Sequence, residues 1–410
     1  MGSASTGTGC GVRVTVTQGQ GAQGARSLAD AVDTRLKRSI YLDALRAVAL
    51  VRVVIFHATG SWLVTAFTAM PLMFFIAGTL YAASLDRRAT SKVVRDRYRR
   101  IMVPYWGYLA AMVALWGALG VLGEITPANW VGFLMPVVSM AGPKGPGADT
   151  ALHLTWFALW YIQTHLILSL IGGPLRRWQQ QRPRRLWTAI GALFVLGAAG
   201  APGLSIMMFY VACWVVGYAH HDGRVEAWLR PRWKRVCWLL GPVGAVAFFG
   251  FHQRAIVVAA FGVAFLGMFW LSLALGLQPR IEPWLEGRFQ RSVTSWFSQR
   301  SLTIYLWHGV ALWVMVELDL PGALVTRLVG CAVLVVAAVV VFGWLEDVAA
   351  RRPAQLWPRL PSARASRPSG RLRPAVIDLR ARNGSRVPTP QSASSGAANP
   401  ASDTSGRGPM

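Results

Sequence analysis

Four ionisable residues, Asp43, Arg46, Arg52 and His57, stand in a stretch from Tyr41 to Thr59 that is otherwise apolar enough to enter a bilayer. An ionised side chain at membrane depth costs at least ~2.5–3.5 kcal/mol on insertion scales, so such groups face a protein interior or a wet cavity and act there. On a helix turning ~100° per residue, Arg46 and His57 return to within about 20° of one another, and Asp43 lies about 40° from His57. The three share one stripe, with Arg46 and His57 roughly 16 Å apart along the axis. Arg52 falls on the opposite side of the wheel and has no role in this reading. A neutral imidazole with an ordinary pKa of ~6.5 suits a general base that takes a proton from a hydroxyl. An arginine on the same stripe can neutralise phosphate or developing negative charge in a low-dielectric pocket. The plainer reading has Asp43 and Arg46 snorkelling to the interface and His57 capping the far end.

Further candidates lie along the chain. Arg95, Arg97, Arg99 and Arg100 crowd the start of a later apolar run, followed by Pro104-Tyr105-Trp106. Arg97 and Arg100 are three apart and project on one helical face, as a phosphate clamp needs; a basic anchor with an aromatic belt is the competing account. His308, with Tyr305 three residues before it, suggests a polar lining inside the membrane, or a structural hydrogen bond between helices. His153 falls near the depth of His57. His165, some two turns deeper, reads as a core histidine.

Composition sets the frame that must position these groups. The 410 residues are 54% hydrophobic and only 14% charged, with 19 Trp. A soluble domain carries about 25% charged residues, so the class is a polytopic membrane protein. The net charge of +25 does not point to nucleic acid, because the basic residues sit between apolar runs and in the tails. Cys10, Cys213, Cys237 and Cys331 show no paired spacing, so neither a disulfide frame nor a metal site is expected.

Ten apolar runs, near 40–59, 65–85, 101–122, 150–172, 186–200, 203–218, 236–251, 255–277, 302–316 and 323–345, predict an all-α protein of about ten transmembrane helices. The fifth and sixth, joined by Gly200-Ala201-Pro202-Gly203, read as two crossings in preference to a re-entrant pair. The gaps at 86–100, 173–185, 219–235 and 278–301 hold 7, 5, 5 and 4 Lys or Arg, against Lys144 and Arg254 alone on the other side. The basic side is the cytoplasmic one, which puts both termini in the cytoplasm of a multi-pass cell-membrane protein. Asp43 and Arg46 then lie toward the inner leaflet and His57 near the outer face. Residues 1–38 read as a disordered arm without a cleavable signal peptide, although MGSAST fits an acylation pattern at Gly2. Residues 39–348 form the membrane domain. Residues 349–410, rich in Arg, Pro and Ser, read as a disordered tail that leans on anionic lipid. Trp130 to Met140 is a short apolar stretch of the longest outer gap, where a substrate can meet the protein. Glu346 and Asp347 close the last run and snorkel or pair with arginine.

The chain has no G-x-x-x-x-G-K-[ST], G-x-S-x-G or H-E-x-x-H pattern. Its Y-L-D-A-L-R-A-V-A-…-H, with ten residues between Arg46 and His57, resembles the first-helix hallmark of the acyltransferase-3 family of integral-membrane acyltransferases. The R-x-x-R of Arg97 and Arg100 with Pro104-Tyr105 is similar to that family's third-helix motif. F-F-I-A-G at 74–78 resembles its F-F-x-x-S-G with Ala77 in place of Ser, and H-L-T-W-F at 153–157 and I-Y-L-W-H at 304–308 also fit. The resemblance implies an enzyme of about ten helices that moves an acyl group, often acetyl, from cytoplasmic acyl-CoA to a hydroxyl of an envelope carbohydrate, glycolipid or natural product. Acyl-CoA is then a co-substrate and no cofactor is bound. It implies that His57 is the essential histidine, as base or acyl carrier, that Arg46 is its partner, and that Arg97 and Arg100 engage the CoA side. Asp43, His153, Tyr305 and His308 are pocket-lining candidates. The chain resembles the stand-alone subtype, without a fused esterase-like domain. The competing class is a transporter or lipid flippase with a polar path, which inverted repeats would favour.

Overall fold

The computed structural model describes residues 40–137, 143–251, 256–319 and 323–356. The expected arm 1–38 and most of the expected tail lie outside these residues, as do Cys10 and Arg254. Among the described residues there is helix and no strand. Ten long helices follow the ten apolar runs: α1 (Ile40–Thr59), α2 (Ala69–Leu85), α3 (Thr90–Ala118), α4 (Trp160–Gln181), α5 (Pro183–Gly200), α6 (Pro202–His221), α7 (Trp233–Phe251), α8 (Ile256–Leu285), α9 (Arg288–Glu317) and α10 (Ala323–Phe342). Among the described residues, six segments are long and apolar enough to cross a membrane, Leu63–Leu85, Thr90–Ala118, Ala151–Gln181, Gly203–His221, Phe261–Leu285 and Leu324–Phe342. The chain is a multi-pass membrane protein. Its α10 shows the consequence on its surface, where Val325, Val329, Val333, Val336 and Val340 stand exposed at helical spacing, the stripe that lipid would cover.

Proline and glycine mark the joints. Pro183 and Pro202 occupy first-turn positions of α5 and α6, where the missing N–H costs nothing. The two helices are separate and packed on one another. Gly60 follows α1 with φ of 61°, a left-handed conformation that stops the helix without a Cβ clash.

Two helices begin earlier than their apolar runs. α3 starts at Thr90 and α9 at Arg288, so the arginines of 95–100 form helical turns of α3 and do not precede it. Hydropathy marks where a helix turns apolar, whereas its hydrogen-bond ladder continues through a polar stem. The fourth run differs in the other direction: residues 151–159 form two short 3-10 turns before α4 begins at Trp160.

The core is aromatic. Phe74, Phe75, Tyr105, Trp116, Trp214 and Tyr218 are all wholly buried. α1 packs against α2, α8, α9 and α10, and α2 against α6. The α2–α6 approach is close enough that a Cβ on Gly78 would lie 2.2 Å from the Trp214 carbonyl oxygen, and one on Gly217 2.3 Å from that of Phe75. Small residues permit such backbone contact between membrane helices. Wholly buried Arg300, inside α9, ties down the segment after α10 by donating to Asp347 (2.7 Å) and to the carbonyl oxygens of Gly343 and Gln355. Asp347 also holds Arg352 at 3.1 Å, the arginine pairing expected for this acid.

Candidate functional site

α1 carries Arg46 and His57 to two different levels of one site. Arg46 lines a cavity of about 720 Å³ between α1, α2, α3, α4 and α9. Arg97 and Arg100 of α3 line the same cavity, with Arg87, Arg88 and Arg352. Arg97 is held over the ring of Tyr81 at 4.8 Å, and Tyr81 is fixed by its hydroxyl donating to the Ser169 carbonyl. Arg88 is paired with Asp96 at 3.1 Å. Among the described residues neither Arg46 nor Arg97 has a carboxylate partner. Uncompensated guanidinium groups on a cavity wall attract a polyanion and can grip phosphate in a bidentate way.

Tyr161 and Tyr305 also line the cavity, with their rings 4.9 Å apart. Tyr305 is anchored by donating from its hydroxyl to the Ala158 carbonyl, and its ring lies 5.4 Å from that of His308. His308 is wholly buried, and its Nε2 lies 2.9 Å from Nδ1 of His57. The edge of Phe157 meets His57 at 4.5 Å, and His153 lies beyond Phe157 at 6.0 Å. The order from the arginines outward is therefore the Tyr161–Tyr305 pair, the His57–His308 pair, then Phe157 and His153. The cavity wall stops at the tyrosines and does not include either histidine of the pair.

The segment H-L-T-W-F anchors this roof. Thr155 is wholly buried, accepts at its carbonyl from the Tyr108 hydroxyl and at Oγ1 from Trp116 Nε1. A Cβ on Gly309 would lie 2.1 Å from the Leu154 carbonyl, so α9 runs directly against the turn. His153 itself bonds the Thr150 carbonyl through Nδ1.

Of the residues singled out in the sequence, Arg46, Arg97, Arg100 and Tyr305 meet on the cavity wall, and His57 and His308 meet each other outside it. Asp43 is buried and accepts from Ser298 Oγ at 2.9 Å; Ser298 lines the cavity, so Asp43 stands behind the wall. Arg52 points elsewhere. It donates from Nε and Nη2 to the Val64 carbonyl (3.0 and 2.6 Å) and lies over the Phe56 ring, closing the short helix Trp62–Thr65 against α1. Trp270 donates to the Ala66 carbonyl from the other side.

Three wall residues escape sequence reasoning. His165, read as a core residue, faces the cavity, and its Nδ1 has no hydrogen-bond partner among the described residues. Tyr161 looks like one more aromatic in an aromatic-rich helix. Glu346 lines the cavity and accepts from both the backbone N–H (2.8 Å) and the hydroxyl (2.6 Å) of Thr303. Burial pushes its carboxyl up to about 7, against the pull of the Thr303 donors and Arg300. His221 at the cavity mouth bonds Asp86 at 2.6 Å, beside the buried Arg176, which is bidentate to Asp222. Among the described residues no group of three or more His, Cys, Asp or Glu is placed to hold a metal ion.

The family model Acyl_transf_3, described as an acyltransferase domain, matches residues 39–345. No curated protein matches the chain significantly.

Proposed function

The chain belongs to the Acyl_transf_3 family of acyltransferases, and we propose that it moves an acyl group, acetyl foremost, from cytoplasmic acyl-CoA to a hydroxyl of a carbohydrate-containing or other envelope acceptor. One observation carries this reading: Arg46 and Arg97, without carboxylate partners among the described residues, line a cavity that ends at tyrosines beside the His57–His308 pair. A nucleotide-bearing thioester has the matching chemistry, polyanionic at one end and acyl at the other.

In this account Arg97 and Arg100 hold the phosphates at the cytoplasmic side. The pantetheine arm rises past Arg46 to the Tyr161–Tyr305 pair. Those rings part to admit the thioester, because the resting cavity stops beneath them. The acceptor hydroxyl comes from the outer side, past Phe157 and His153. His57 takes the hydroxyl proton as the oxygen attacks the thioester carbonyl. Arg46, roughly 16 Å from His57 along α1, neutralises donor phosphate on the cavity side. Collapse of the tetrahedral intermediate breaks the C–S bond, and the leaving thiolate takes the proton back from His57. A covalent acyl-His57 formed first is the variant of this path, with the acceptor attacking in a second step. The same orientation places both termini in the cytoplasm of a cell-membrane protein.

The test uses purified protein in lipid nanodiscs, labelled acetyl-CoA and candidate envelope carbohydrates and glycolipids. His57→Ala is expected to lower transfer by about 10²–10⁴-fold, the usual worth of a general base. Arg97→Ala and Arg100→Ala are expected to raise KM for the donor, each by about 10-fold or more, as a charge-assisted hydrogen bond is lost. Full transfer by the His57→Ala protein would overturn the assignment. Acceptor movement across the bilayer without acylation would point to transport in its place.

A further inference from the structure

We infer that His308 is a positioning residue that locks the tautomer of His57 and leaves Nε2 of His57 as the nitrogen that meets substrate. The inference rests on the base reading above and adds the group that prepares the base.

Donors and acceptors decide the tautomer. Nδ1 of His308 lies 2.5 Å from the Tyr305 carbonyl oxygen. A carbonyl oxygen only accepts, so the proton of that contact sits on His308 Nδ1. His308 is wholly buried, and among the described residues no carboxylate pairs with it. A charged imidazolium in such a place goes uncompensated, so the ring is neutral. A neutral ring protonated on Nδ1 has a bare lone pair on Nε2. That lone pair faces Nδ1 of His57 at 2.9 Å, and two lone pairs do not meet at that distance. Nδ1 of His57 therefore carries the proton, and its Nε2 is free to accept one.

Ring geometry agrees. The imidazole planes are only 18° apart and their centroids 5.1 Å apart. That separation is close to the N···N distance plus two ring radii, so the rings lie side by side, in line for the hydrogen bond. Phe157 closes one side of His57 edge-on at 4.5 Å.

The arrangement also says what His308 does not do. When His57 gains a proton on Nε2, its Nδ1–H still donates to His308, which stabilises the imidazolium. His308 cannot hand a proton further, because its far nitrogen ends on a carbonyl. It orients and stabilises; it is not a relay. This is the task that an acceptor performs behind a catalytic histidine in hydrolytic triads, done here by a second imidazole from α9.

The choice of replacements makes this testable. In His308→Gln the amide oxygen can stand near the place of Nε2, whereas in His308→Asn it reaches only to the place of Nδ1. We expect His308→Gln to keep kcat within a few-fold, and His308→Asn and His308→Leu to lose about 10²-fold in kcat with the donor KM unchanged. A structural brace lost would lower melting temperature and raise KM together. An independent readout is the ¹⁵N spectrum of histidine-labelled protein in nanodiscs, with His57 assigned by its loss in His57→Gln. It should show His57 protonated on Nδ1 and bare on Nε2. Wild-type kcat in His308→Leu, a His308→Gln protein no better than His308→Asn, or a spectrum with His57 protonated on Nε2 would each overturn the inference. Full activity of His57→Gln would instead fell the base reading, while the spectrum still decides the tautomer.

Discussion

Glu346 is one of the acids on a wall rich in arginines, and its environment makes a pH-dependent claim. Burial holds its carboxyl at about 7 in the folded protein, while an ordinary glutamate titrates near 4.5. Between those two values the folded state binds more protons than the unfolded one, so stability falls as pH rises through that window and then levels off above 7. Glu346→Gln removes the titration and keeps an amide oxygen to accept from Thr303. The wild-type protein is expected to lose melting temperature from pH 5 to pH 8 relative to the Gln variant, with the two curves diverging below pH 7 and running parallel above it. Parallel curves throughout would show that Glu346 is not held protonated. The functional corollary belongs to the same residue: ionised Glu346 offsets part of the positive potential offered by Arg46, Arg97 and Arg352, so it tempers the affinity for a polyanionic donor.

At the level of elements, the glycine contacts between α2 and α6 set how closely those two helices pack. Gly78→Ala would drive a Cβ to 2.2 Å from a backbone oxygen, which only separation of the helices relieves. Such overpacking costs about 1–3 kcal/mol. Gly191 in α5 has nothing within 4 Å of its would-be Cβ, so Gly191→Ala is expected to be neutral or to stabilise by about 0.5–1 kcal/mol through helix propensity. Thermal melts in one detergent compare the two directly; equal effects would mean that the α2–α6 contact is not as tight as described. The contrast also marks what a sequence discloses. Within one helix, spacing is enough: the stripe of Asp43, Arg46 and His57 and the pair Arg97 and Arg100 follow from ~100° per residue. Between helices it is not. His57 and His308 are 251 residues apart, and nothing in either neighbourhood names the other. Glu346 against Thr303 and His165 on the cavity wall are likewise products of packing, and Arg52 becomes intelligible only once the Val64 carbonyl is placed beside it. The starts of α3 and α9 are hidden for a local reason, because an arginine-rich helical turn has the composition of a loop.

For the whole molecule, the proposed chemistry requires two faces with different duties. The cavity that gathers the arginines must open to the side that holds the nucleotide thioester, and Phe157 with His153 must lie toward the other. The charge pattern agrees with that polarity, since 173–185 holds five Lys or Arg while the outer gap 123–150 holds Lys144 alone. Cys213, Cys237 and Cys331 are buried, so a Cys10→Ser background lets introduced thiols report sidedness cleanly. Lys144→Cys is expected to react with a membrane-impermeant maleimide in intact cells. Arg185→Cys, exposed at the start of α5, is expected to react only after the membrane is opened. Labelling of Arg185→Cys in intact cells would invert the molecule. The arginines would then face away from cytoplasmic acyl-CoA, and the donor would have to approach His57 from the side closed by Phe157. Sidedness is thus the premise on which the order of donor, base and acceptor along α1 depends.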